Sequence, residues 1–77
     1  MKELVEYLAR EIVDEPDAVE VSERADDRGS LLTLHVAKDD MGKVIGRGGR
    51  TARAIRAIVK TAAIRAGVPH VHVEIAD

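Results

Sequence analysis

The stretch GKVIGRGGRTARAIR, residues 42–56, constrains the fold more than any other part of the chain. It concentrates four glycines and five basic residues between two segments of helical character. Ahead of the glycines, residues 41–45 have room for only about one helical turn. Beyond them, Arg50 to Ala66 reads as a long helix. At ~100° per residue, Ala52, Ile55, Ile58, Val59, Ala62, Ala63 and Ala66 fall in one broad arc, with Arg50, Arg53, Arg56 and Lys60 opposite. A short helix that turns through glycine into a long one must meet it at a corner. The long helix must then lay its apolar arc on another layer.

The remaining patterns supply that layer. Residues 2–14 form an amphipathic helix, with Leu4, Val5, Leu8, Ala9, Ile12 and Val13 at three- and four-residue spacing. Pro16 stops it, because the residue before a proline is pushed out of the helical region. Ala18 to Glu23 alternates with period two, and Leu32, Leu34 and Val36 share one face of a second strand. Turn chemistry at Asp26–Ser30 joins the two as a hairpin. Asp39 and Asp40 suit a helix N-terminus. Gly67 suits the position just past the long helix, with Pro69 beyond it. Val71, Val73 and Ile75 alternate against His70, His72 and Glu74 as a third strand. The order is α-β-β-α-α-β: an α+β domain whose three-stranded mixed sheet is covered on one face by three helices. The two-helix crossover between the second and third strands permits a parallel, right-handed connection.

Seventy-seven residues amount to one small domain, 1–77, that buries about 60–65% of its unfolded surface. Without cysteine, neither disulfides nor thiolate metal sites reinforce it. No apolar run approaches the ~18 residues of a membrane span, and the charged N-terminus lacks a signal-peptide core. The expected setting is the cytoplasm, with no membrane contact. The net charge of −2 averages two unlike halves. Residues 1–40 hold five Lys/Arg and twelve Asp/Glu, whereas residues 41–77 hold seven and two. A basic half suggests a polyanionic partner wherever its charges converge in space.

Known phosphate-binding glycine loops mostly fail against this stretch. The position five after Gly42 is Arg47, so a Walker A loop is excluded. A dinucleotide fingerprint beginning at Gly46 lacks its last glycine, a preceding strand and a downstream acid. Val44-Ile45-Gly46-Arg47-Gly48-Gly49, a V-I-G-x-x-G run between two helices, resembles the KH domain. That module binds RNA and single-stranded DNA, clamping about four nucleotides with a GXXG loop. The element order is similar to the bacterial type II variant, and the resemblance spans the whole chain. It is nearest to small single-KH bacterial proteins of the KhpA type.

The resemblance implies a site of Lys43, Val44, Ile45, Gly46, Arg47, Gly48, Gly49, Arg50, Thr51, Ala52, Arg53 and Ile55. Lys43, Arg47, Arg50 and Arg53 would neutralise phosphates, and Val44, Ile45, Ala52 and Ile55 would touch bases, with the Leu32–Val36 strand behind. Glycine admits a close approach of backbone to backbone, and a following helix N-terminus favours anions. Two departures from the family pattern stand out. Ala52 occupies a position where isoleucine is usual, so base contact there is shallower. Gly48 forgoes a positive charge that many relatives carry.

The resemblance further implies an RNA chaperone or post-transcriptional regulator, self-associating or paired with a second KH-containing protein. A scaffold with little RNA affinity of its own, acting by protein interaction, is the competing expectation. Tyr7 is the only aromatic residue, so base-stacking RRM and OB modules are poor alternatives. His35, His70 and His72 share the polar side of the sheet, but solvated strand positions explain them, and neither metal nor other cofactor is expected. No hydroxyl has a recognisable base, so no catalytic residue is assigned and the chain is not read as an enzyme.

Overall fold

The computed structural model describes residues 1–68 and 70–76. Its helices are α1 (Lys2–Ile12), α2 (Met41–Ile45) and α3 (Arg50–Arg65), and its strands are β1 (Glu20–Asp26), β2 (Gly29–His35) and β3 (Val71–Ala76). The order α-β-β-α-α-β is the expected one. β1 and β2 pair antiparallel, from Glu20↔His35 to Asp26↔Gly29. β2 and β3 pair parallel, from Ser30↔Val71 to His35↔Ala76. β2 is therefore central, and β1 and β3 are the two edges.

The alternation decides which face is covered. Val21, Leu32, Leu34 and Val73 point one way and are buried, Leu32 and Leu34 completely. Val5 and Ala9 from α1, Val44 from α2 and Ile55 and Val59 from α3 close over them. Ser22, Arg24, Thr33, His72 and Glu74 occupy the alternate positions, which stay at least partly open. Burying each large aliphatic side chain contributes about 1.5–3 kcal/mol. With no ring larger than Tyr7, itself 62% exposed, the core depends on aliphatic interlocking alone.

Several boundaries and roles differ from the sequence expectations. α1 ends at Ile12, and Val13 is already extended at φ −83°, ψ 159°. Pro16 opens a separate 3-10 turn, Pro16–Ala18, for which its fixed φ is suited. The hairpin strands run further than expected, leaving Asp27-Arg28 as a two-residue loop, with the Arg28 N–H donating to Asp26 Oδ1 at 2.7 Å. On α3, Ile58 is 46% exposed rather than part of the apolar arc. The buried line runs through Ala52, Ile55, Val59 and Ala63, and Ile58 sits ~100° round from Val59.

Gly67 ends α3 as expected. Its φ of +73° lets its N–H reach the Ile64 carbonyl while the Val68 N–H reaches that of Ala63, a Schellman arrangement. Pro69, expected to reinforce that stop, lies outside the described residues. The histidines do not gather: His72 pairs with Leu31 and His35 with Ala76, well apart along the sheet. Among the described residues, no three His, Cys, Asp or Glu groups stand close enough to hold a metal.

Candidate nucleic-acid interface

α2 ends where Gly46 takes φ +75°, ψ 171°, a region essentially closed to any residue with a Cβ. Conformation is only part of the requirement. A Cβ on Gly46 would collide with Oγ1 and Cβ of Thr51, whose side chain lies over the glycine from the first turn of α3. Gly46 and Thr51 thus form the tight inside of the corner.

Gly48 and Gly49 form its outside. Both are left-handed, at φ +62° and +78°. Beside Gly48 there is open space, and beside Gly49 the nearest group is the Arg53 guanidinium, 3.4 Å from where a Cβ would stand. The missing charge at position 48 thereby acquires a reason. A left-handed backbone disfavours a long side chain there by roughly 1–2 kcal/mol, and glycine removes that cost.

α3 begins at Arg50 with Gly49 as its N-cap, so no side chain caps it, and no acid stands in its first turn. The Gly49 and Arg50 N–H groups donate to the carbonyls of Gly46 and Arg47, and the positive end of the helix dipole is left at the loop. Arg47, Arg50 and Arg53 are all exposed around this point. Lys43, on α2, is also exposed, but its Nζ lies 3.4 Å from Oδ2 of Asp14. The structure therefore brings together the glycine loop, the helix terminus and the four expected cations.

The apolar members are divided between inside and outside. Val44, Ala52 and Ile55 are buried to 4% exposure or less, and Val44 and Ile55 belong to the same core as Leu32 and Leu34. They fix the angle between α2 and α3 from beneath the loop. Ile45 is the apolar side chain left on the surface, 39% exposed. The strand beside this helix is β3 rather than the Leu32–Val36 strand, since β2 is central and its inward residues are covered.

Two features were beyond the reach of sequence reasoning. Arg56 is not on the outermost face of α3. Its Nε–H donates to the Val73 carbonyl at 3.1 Å, on β3. Arg56 and Lys60 line one side of a groove of about 500 Å³ between α3 and β3, with His70 and His72 on the other. The helical arc holds all the needed residues, but only the strand order reveals what lies across from them. The second feature is Asp40. It is 2% exposed, and its carboxylate accepts the backbone N–H groups of Asp14 at 3.2 Å and Glu15 at 3.1 Å. It precedes α2 as expected but makes no side-chain cap to it. Its donors lie 26 and 25 residues upstream, a separation no local pattern encodes.

A family model described as "KhpA/KhpB, KH domain" matches residues 2–75. The RNA-binding protein KhpA of Clostridium acetobutylicum is 51% identical over 65 residues, covering 84% of this chain and 87% of that protein. The RNA-binding protein KhpA of Streptomyces coelicolor is 52% identical over 59 residues, covering 77% and 75%. That of Mycobacterium bovis is 56% identical over 55 residues, covering 71% and 69%. Among solved structures, a variant of Aquifex aeolicus Era bound to GDP and aluminium fluoride superposes with a TM-score of 0.62 at 19% identity. The superposition covers 96% of this chain and 28% of Era, a likeness of fold alone.

Proposed function

Since the chain belongs to the KhpA/KhpB KH-domain family, we propose that it binds single-stranded RNA by gripping the phosphate backbone at Gly46–Gly49. The observation that carries this reading is the open space beside Gly48, with the Arg53 guanidinium beside Gly49, set at a helix N-terminus without a side-chain cap and ringed by arginines. A phosphate entering that space meets the positive end of the helix dipole and guanidinium donors together. Arg47, Arg50 and Arg53 neutralise successive phosphates, with Lys43 at the flank. Ile45 offers an apolar contact, while Val44, Thr51, Ala52 and Ile55 hold the loop's shape. Arg56 and Lys60 extend the basic line from the loop towards β3.

In this reading residues 1–77 act as one KH module in the cytoplasm, as an RNA chaperone or post-transcriptional regulator. Affinity is modest and base selectivity low, because phosphate contacts position a strand without reading it. Single-stranded DNA fits the same grip, because a grip on phosphates does not read the 2′-hydroxyl that tells RNA from DNA.

A second reading is favoured by the outward face of α3, where Ala57, Ile58, Thr61 and Ala62 make an apolar patch and Ile64 is 69% exposed. There the chain would be an interaction subunit, self-associating or paired with a second KH-containing protein. One titration separates the two. A labelled single-stranded RNA is titrated at several salt concentrations against the wild-type protein and Arg47→Asp/Gly48→Asp. The left-handed backbone at Gly48 tolerates Asp, so the variant is expected to fold. RNA binding predicts a clear salt slope and loss of affinity in the variant. Equal affinity of the two proteins overturns the loop assignment, and partner binding untouched by the variant supports the second reading.

A further inference from the structure

We propose that Asp14 is a resident competitor for phosphate at Lys43, a specificity-determining residue that RNA must displace. The inference rests on the RNA-binding reading above. Among the described residues, Lys43–Asp14 is the one ion pair. Its two side chains are 44% and 77% exposed, so the contact is open to exchange with an incoming anion. A free surface pair of this kind would normally be worth little. What distinguishes this one is its mounting.

Asp14 lies on the segment between α1 and β1, and that segment is fastened to the base of α2 by the buried Asp40. Both N–H groups of the Asp14-Glu15 pair are held by the two carboxylate oxygens. The 3-10 turn opened by Pro16 follows immediately. The backbone bearing Asp14 is thus held at the residue immediately before α2, and little chain entropy opposes the pair. Lys43 reaches the RNA site already neutralised by a fixed charge rather than by a mobile ion.

Phosphate binding at Lys43 therefore trades one anion for another and releases little salt at that position. For single strands the slope of log affinity against log salt is about −0.7 per neutralised phosphate. A ligand that meets Lys43 without filling the glycine loop gains nothing to offset the exchange. Asp14 consequently disfavours loosely held polyanions and favours a strand seated in the loop.

The test compares wild type, Asp14→Asn, Lys43→Met and the double variant in the RNA titration. Glu15→Gln and Asp17→Asn remove the same charge from the same segment without touching Lys43. Asp14→Asn keeps the backbone N–H that Asp40 holds, and a thermal melt checks the fold of each protein. The expected result is an affinity gain of about two- to fivefold at low salt. The salt slope should steepen by up to about 0.7. Both changes should vanish in the Lys43→Met background, and heparin should gain more than the RNA does. Unchanged affinity and slope in Asp14→Asn overturn the inference. So does an equal gain in Asp17→Asn, or a gain that persists without Lys43. If Arg47→Asp/Gly48→Asp abolishes binding while Asp14→Asn changes nothing, the competitor role alone falls. If the loop variant binds like wild type, the RNA reading falls and takes this one with it.

Discussion

Glycines with positive φ stand at both ends of the domain, and their surroundings differ. At the hairpin end Gly29, at φ +139°, lies against His70, so a Cβ would run into the His70 carbonyl oxygen. The adjacent Ser30 N–H donates to that same oxygen at 2.9 Å, tying the start of β2 to the approach to β3. At the loop end Gly46 is likewise filled in, by Thr51, but Gly48 looks onto open space and Gly49 onto the Arg53 guanidinium. The first kind of glycine serves the fold. The second is bordered by exposed arginines rather than by packed backbone. An unusual φ does not distinguish them; the contents of the missing Cβ's volume do.

Substitutions by alanine should rank accordingly. Gly29→Ala meets backbone, which cannot rotate away, and should cost roughly 2–4 kcal/mol, enough to unfold much of so small a domain. A denaturant melt measures it, and a loss below ~1 kcal/mol would erase the contrast. Gly46→Ala meets the Thr51 side chain and backbone nitrogen as well as a forbidden φ/ψ, so about 2–3 kcal/mol is expected, of which Thr51→Gly restores only the side-chain part. Gly49→Ala carries only left-handed strain, about 1 kcal/mol, yet RNA affinity should fall by about tenfold. A melt and a titration on the same sample decide that case. If stability and affinity fell in proportion at all three positions, the two ends would not be different in kind.

The element order and the apolar strand positions were legible in the sequence because period and punctuation are local signals, and the length of the crossover permitted a parallel β2–β3 pairing. The glycine run was legible as a corner between helices for the same reason. Rotation of α3 was not: a seven-member arc is too broad to show that Ile58 faces solvent and that Arg56 reaches Val73. Nor could alternation show that Leu32 and Leu34 lie in the central strand, since that depends on which neighbour β3 selects. Asp40 was read as a helix-capping residue because aspartates before helices usually are. Its actual donors come from a segment more than twenty residues away.

The parallel pairing has a consequence for how the chain reaches this state. The hairpin β1–β2 closes over a two-residue loop, but each residue of β2 from Ser30 to His35 meets a β3 partner 41 positions later, as Ser30 does Val71. Closing so long a loop is entropically slow compared with forming a hairpin. The α2–glycine–α3 corner lies within that span, so its folding brings the two distant strands within reach. Damage to Gly46 should then lengthen the time to a closed sheet as well as lower the final stability. The open space beside Gly48 thus lies in the same turn whose closure shortens the span between the two strands.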